Sequence, residues 1–279
     1  MRRTRLTAEA IEAFTPDVKV GLLATLDPRG LPHVSLITSL TAKGEGALMF
    51  GQFTEGRSKL HVRQDPRVGF LVLSMDRRMW RGKARWTAAT REGEDHLAFN
   101  ARSMFRYNAY FGVHTVHHLE LVAVSERMRV PLPSMLAGGL RARLVRPSLG
   151  AGRPEVFNAW TRRHLQGLTT LKFLCFADAD GYPRLVPCVP CAPVGPGRLA
   201  FAPTAFAGEL AGLREGTPVA VFALNLATES VLLRGPFAGF RGLGPLRLGL
   251  VDVDWVYNSM PPVPGRIYPP EPLQSAATV

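Results

Sequence analysis

The chain has 279 residues, 46% of them hydrophobic and 20% charged, a globular mixture that excludes a disordered or fibrous protein and allows one or two domains. Its 34 basic against 22 acidic residues leave a formal net charge of +12, which admits nucleic acid, a membrane surface or a phosphorylated small molecule as partner without choosing among them. With five lysines and 29 arginines, a general arginine bias is the plain alternative.

In chain order, a short helix is expected over 7–14, then a buried strand from Leu22 to Asp27 that enters an Asp-x-x-Gly turn at Gly30, with Pro32 opening the returning strand. A strand over 47–52 leads into a helix over 57–64, which Asp65-Pro66 stops. Strands over 67–74 and 79–87, a helical stretch over 91–111 and a strand over 118–125 complete the first half. The segment 131–153 is rich in Pro, Gly and Arg and reads as a linker.

The same order then returns. Phe173 to Asp178 enters a second Asp-x-x-Gly turn at Gly181, followed by Pro183, at an offset of 151 from the first. Leu48 and Phe50 match Leu199 and Phe201, Val68 matches Val219, and Arg81-Gly82 matches Arg234-Gly235 at an offset of 153. The second copy is expected to comprise a helix over 154–166 with Pro154 at its first position, a strand over 198–203, a helix over 208–215, and strands over 219–224, 230–238 and 246–256. Short strands with frequent turns argue for a closed or nearly closed barrel, because closure removes exposed edges. The reading is an internal duplication: a mainly β fold with flanking helices (α+β), built as two tandem closed or nearly closed β-barrels over 1–130 and 154–257, with 131–153 as linker and 258–279 as an extended, Pro-dense tail.

The candidate chemistry lies where a strand gives way to a helix, from Gln52 to Val68. A helix start faces a phosphate with backbone N–H groups and the positive end of its dipole. Thr54 and Ser58 could donate hydroxyl hydrogen bonds, and Arg57 and Lys59 charge-assisted ones. The plain alternative is a solvated helix start.

These residues resemble the pyridoxamine 5'-phosphate oxidase-like FMN-binding split β-barrels. The resemblance is carried by Ala24-Thr25 through Gly30 and Pro32, by Thr54, Ser58, Lys59 and the Asp65-Pro66-Arg67-Val68 stop, and by Gly82-Lys83-Ala84. It implies non-covalent FMN with Arg57, Ser58 and Lys59 on its phosphate. The strand His33, Val34, Ser35, Leu36 and the strand end Phe53-Thr54 would then run along the isoalloxazine ring, largely through backbone contacts. It implies a flavin-dependent oxidoreductase of unspecified small-molecule substrate; a haem-binding or haem-degrading protein, or a non-catalytic ligand carrier of the same fold, is the alternative. No side chain stands out as a catalytic acid or base. Because Glu209-Leu210 replaces Ser58-Lys59 in the second copy, the chain resembles a fused pseudo-dimer retaining one of two sites, and a homodimer built on that is compatible with the family pattern. The Arg- and Trp-bearing C-terminal signature of true pyridoxamine phosphate oxidases is not evident in 255–268, so vitamin B6 synthesis is not expected.

Other constellations are weaker. Cys188-Val-Pro-Cys191 has the spacing of half a metal site, but its repeat partners are Ile37 and Leu40, apolar positions, which favours packing. Of His114, His117 and His118, at most two converge from one strand, so no metal site is expected. Tyr107, Tyr110 and Phe111 read as packing residues. The arginines are spread along the chain rather than grouped with stacking aromatics, so no nucleic-acid partner is expected. No run of about 18–20 apolar residues suits a membrane helix. Glu9 and Glu12 interrupt what a signal peptide would keep apolar, and three cysteines are too few for a disulfide framework. The expected setting is soluble and cytoplasmic, without a membrane partner.

Overall fold

The computed structural model describes residues 2–102, 112–129, 153–167, 169–188, 190–203, 206–242, 247–258 and 264–272. They form two units, one of Met1–Val130 with Ala177–Leu185, the other of Pro131–Phe176 with Val186–Val279.

The first sheet is built from β1 (Arg2–Arg3), β2 (Lys19–Leu26), β3 (Pro32–Leu36), β4 (Thr41–Ala42), β5 (Ala47–Gln52), β6 (Arg67–Ser74), β7 (Arg78–Thr90), β8 (Thr115–Ser125) and β9 (Met128–Arg129). Its main path runs β3-β2-β6-β7-β8-β5-β4, with β1 on β8 and β9 on β7. Helix α1 (Ala8–Phe14) starts at Thr7, whose hydroxyl accepts the Ala10 N–H at 3.2 Å, and buries Ala10, Ala13 and Phe14. Those three join Leu23, Phe50, Phe70, Val72 and Trp80 in the core. Helix α2 (Arg57–Gln64) ends at Asp65, as the Asp65-Pro66 stop predicts. Helix α3 (Glu94–Ala101) occupies part of the expected 91–111 stretch; Tyr107, Tyr110 and Phe111 lie outside the described residues.

The second sheet is built from β10 (Leu171–Ala177), β11 (Pro183–Pro187), β12 (Cys191–Pro193), β13 (Arg198–Phe201), β14 (Pro218–Leu224), β15 (Ser230–Arg241), β16 (Leu248–Asp252), β17 (Trp255–Asn258) and β18 (Gly265–Tyr268). Its path, β11-β10-β14-β15-β16-β13-β12, has the strand order of the first. The fold is mostly β, in two tandem split-barrel sheets. Backbone hydrogen bonds recur at the sequence offset of 151: Ile37 N–H to Gly21 O at 2.7 Å and Cys188 N–H to Lys172 O at 2.8 Å, or Gly30 N–H to Asp27 O at 2.8 Å and Gly181 N–H to Asp178 O at 2.9 Å. Gly30 and Gly181, at φ 75° and 78°, supply the left-handed residue each Asp-x-x-Gly turn needs. The shared Arg-Gly pair has an equally physical cause. A Cβ on Gly82 would collide with the Ala123 carbonyl oxygen, and one on Gly235 with that of Asp252.

Four elements depart from expectation, among them the strand expected over 246–256, which divides into β16 and β17. Helix α4 begins at Ala159, not at Pro154, because Asn158 caps it through Oδ1 to the Thr161 N–H at 2.8 Å. Helix α5 is confined to Ala207–Leu210; Gly208 and Gly212, with open space around them, weaken any longer helix. The segment 258–279 contains β18, paired with β17. Cys188 and Cys191 are both buried in the second core.

The first unit takes in the tip of the β10–β11 hairpin. Lys83 Nζ, in a side chain only 7% exposed, bonds Asp178 Oδ2 at 2.7 Å and Asp180 Oδ2 at 2.5 Å. Burial alone would raise the Asp178 pKa. Hydrogen bonds from Lys83, the Ala179 N–H and Arg184 outweigh it and hold the carboxyl at about 2.

Candidate functional site

The site grows from the end of β5. The strand delivers Gln52, Phe53 and Thr54 to a turn at Gly56, which precedes α2 without giving it a side-chain cap. The second residue of the helix, Ser58, is fully buried, and its Oγ accepts a hydrogen bond from the Ser35 hydroxyl of β3 at 3.2 Å. One turn on, His61 bonds Thr25 Oγ1 through Nδ1 at 3.0 Å and meets the ring of His33 edge-on, with centroids 5.3 Å apart. Thus His33 and Ser35 face α2, as alternation along a strand requires. Val34 is buried, and Leu36 is half-buried.

Lys59 is half-buried. Desolvation pulls its pKa down to about 8, against partial support from the carboxylate of Glu55. A lysine in that condition gains from an anion that the protein does not itself provide. Thr54 and Arg57 are exposed at the mouth of the turn, and Phe53 packs beside Phe99, Val113 and Val116. The structure therefore joins Ser35 to Ser58, sets Lys59 beside them and leaves Thr54 and Arg57 at the edge.

A buried polar relay lies behind these residues. The Trp86 indole N–H donates to His117 Nδ1 at 3.1 Å, and His117 Nε2 lies 2.7 Å from Gln52 Oε1. Since the indole can only donate, Nδ1 must be unprotonated, so Nε2 carries the hydrogen and gives it to the Gln52 carbonyl. His117 stacks on Phe50 at 4.6 Å and is fully buried. Burial first, then the charges of Lys59, Arg63 and His118, lower its pKa to about 4, so it is neutral at pH 7. His118 faces elsewhere, bonding Thr90 at 3.2 Å, and His114 bonds Thr115 at 2.9 Å. The cluster divides as a strand divides its side chains.

His61, Gln52 and Trp86 are the residues that sequence reasoning missed, and His117 was weighed there only as a metal ligand. His61 was within reach, since it lies three residues beyond Ser58 on one helix face. The relay depends on the pairing of β5, β7 and β8, which no local motif announces.

Strand order and the β5–α2 corner together define a split β-barrel whose helix start carries Ser58 and Lys59. Residues 7–125 match the family model described as Pyridoxamine 5'-phosphate oxidase. The matched span lies wholly within the first unit. Solved structures similar to part of the chain include an FMN-binding protein from Syntrophomonas wolfei subsp. wolfei, at 16% identity over 43% of this chain and 84% of that one, with a TM-score of 0.39. HupZ of Group A Streptococcus is similar at 14% identity over 45% and 94%, with a TM-score of 0.35. A FAD-binding protein from Mesorhizobium loti is similar at 17% identity over 44% and 96%, with a TM-score of 0.32. No curated protein matches. Among the described residues, no helix is long and apolar enough to cross a membrane.

Proposed function

We propose that the first barrel binds FMN non-covalently and that the protein is a cytoplasmic flavin-dependent oxidoreductase. The observation that carries this reading is Lys59, desolvated at the start of α2 beside the buried Ser58 hydroxyl. A phosphate at that corner offsets the desolvation of the ammonium and meets the helix dipole. Ser58, Lys59 and the edge residue Arg57 would hold the phosphate, with Thr54 closing over it. The strand from His33 to Leu36 is the terminal strand of its sheet path, so its outer backbone edge suits the rim of a planar ring, with Phe53 beside it. The flavin would supply the redox chemistry; the chain binds it, orients it and keeps a neutral His117 behind Gln52.

The second half belongs to the same proposal as the copy of an internal duplication that has lost its site, the two halves together forming a pseudo-dimer. Glu209 stands where Ser58 stands and Leu210 where Lys59 stands, and a carboxylate there repels a phosphate. The test is the visible spectrum of the purified protein with added FMN. Flavin absorbance that co-purifies or titrates to saturation is expected. A Soret band would replace this reading with haem binding, and a colourless protein that takes up no FMN would end it.

A further inference from the structure

Beside the β5–α2 corner lies a cavity of about 210 Å³ to which neither Ser58 nor Lys59 contributes. Its buried polar wall is Gln52 and Thr115, each 5% exposed. Arg63 and Arg91 stand on its exposed rim with Glu55 and His114. Among the described residues, no salt bridge engages either arginine. Two arginines and one glutamate thus share the rim of an opening smaller than a drug-sized pocket.

The relay gives this cavity a direction. His117 holds Gln52 Oε1 from the core side, and the Trp86 bond fixes His117 in the tautomer that requires it. The Gln52 amide is therefore fixed with its NH2 turned away from His117, toward the cavity that Gln52 lines, with no hydrogen-bond partner among the described residues. An amide donor oriented in this way, open to a cavity whose rim carries two arginines, suits an oxyanion.

We propose that this cavity binds the carboxylate or phosphate of a small second molecule, the oxyanion lying between the Gln52 NH2 and the guanidinium groups of Arg63 and Arg91. The proposal deepens the flavoprotein reading, on which it rests for naming that molecule the substrate; the binding itself rests on the cavity alone.

The test uses the full chain, with lactate and inorganic phosphate as probes and the indole N–H resonances of the four tryptophans as readout, Trp86→Phe assigning the one in the relay. A saturable shift of the Trp86 resonance is expected with lactate, with phosphate or with both, which also tells carboxylate from phosphate preference. Arg63→Gln and Arg91→Gln, both on the exposed rim, should each raise the dissociation constant about tenfold. The titration should persist in protein saturated with FMN. Loss of the shift on FMN saturation would overturn the proposal by making the cavity part of the flavin phosphate cradle. A shift absent with both probes, or unchanged in the double arginine variant, would overturn it outright. If the probes titrate and FMN does not bind, the flavoprotein reading and the substrate role fall while the oxyanion site stands.

Discussion

The two halves share strand order, turn glycines and backbone hydrogen bonds, yet differ at every position where the first half places polar chemistry. Ser35 becomes Val186, Ser58-Lys59 becomes Glu209-Leu210, His61 becomes Gly212, and Gln52 becomes Pro203. Pairing extends the comparison. Phe50 lies opposite His117, whereas Phe201 lies opposite Gly249; Trp86 lies opposite Leu119, whereas Phe237 lies opposite Val251. In the second half a phenylalanine ring fills the space that a histidine takes in the first, so that a Cβ on Gly249 would collide with Phe201. The second sheet thus reaches the same strand order without a counterpart of the relay.

Charge reversal should break the comparison most sharply. Lys59→Glu is expected to weaken FMN binding about 1,000-fold, because a buried attraction becomes a repulsion, while Glu209→Lys leaves it unchanged; equal affinities by fluorescence titration would refute the site. Acid should separate the halves next. The His117 pKa is lowered to about 4 in the folded state against about 6.5 unfolded, so the unfolded chain binds the extra proton. Stability should therefore fall as pH drops from about 6.5 to about 4, by on the order of 3 kcal/mol. Denaturant midpoints across that range should show the slope in the wild type and a shallower one in His117→Asn, the remainder coming from His118 and His164, whose pKa values burial also lowers.

A smaller effect follows from Lys59 itself. With its pKa near 8, the ammonium loses its proton as pH rises, and FMN affinity should drop about tenfold between about pH 7 and 9. Riboflavin, which has no phosphate, should show no such drop, and parallel profiles for the two ligands would count against a phosphate at this corner. The smallest contrast pairs Ser58→Ala with Glu209→Ala. Losing the Ser35–Ser58 hydrogen bond should cost about 1 kcal/mol of stability, and the half-buried Glu209 no more than about 0.5 kcal/mol; thermal unfolding of both variants decides.

Much of the fold was legible because its punctuation is local. Asp65-Pro66 ends α2, Gly30 and Gly181 close their turns by φ alone, and the offset of 151 carries one half onto the other. Helix α5 was overread, since two glycines in and just after it cost more than its pattern repays. The site was legible only along the chain. Ser58 and Lys59 announce themselves at a helix start, but Gln52 and His117 are 65 residues apart, and Trp86 and His117 are 31. Their meeting depends on registers and bulges in β7 and β8, which no window of sequence contains.

The turn Asp178-Ala179-Asp180-Gly181 gives the altered copy a remaining duty. Residues 177–185 lie in the second half of the sequence but count with the first unit in space. Arg81 bonds the Leu185 carbonyl at 2.9 Å, and Lys83 has its two carboxylates there. A chain ending before residue 177 would leave the buried Lys83 ammonium without the carboxylates of Asp178 and Asp180. The unit that holds the polar site is thus completed by a turn encoded nearly a hundred residues away from Lys83.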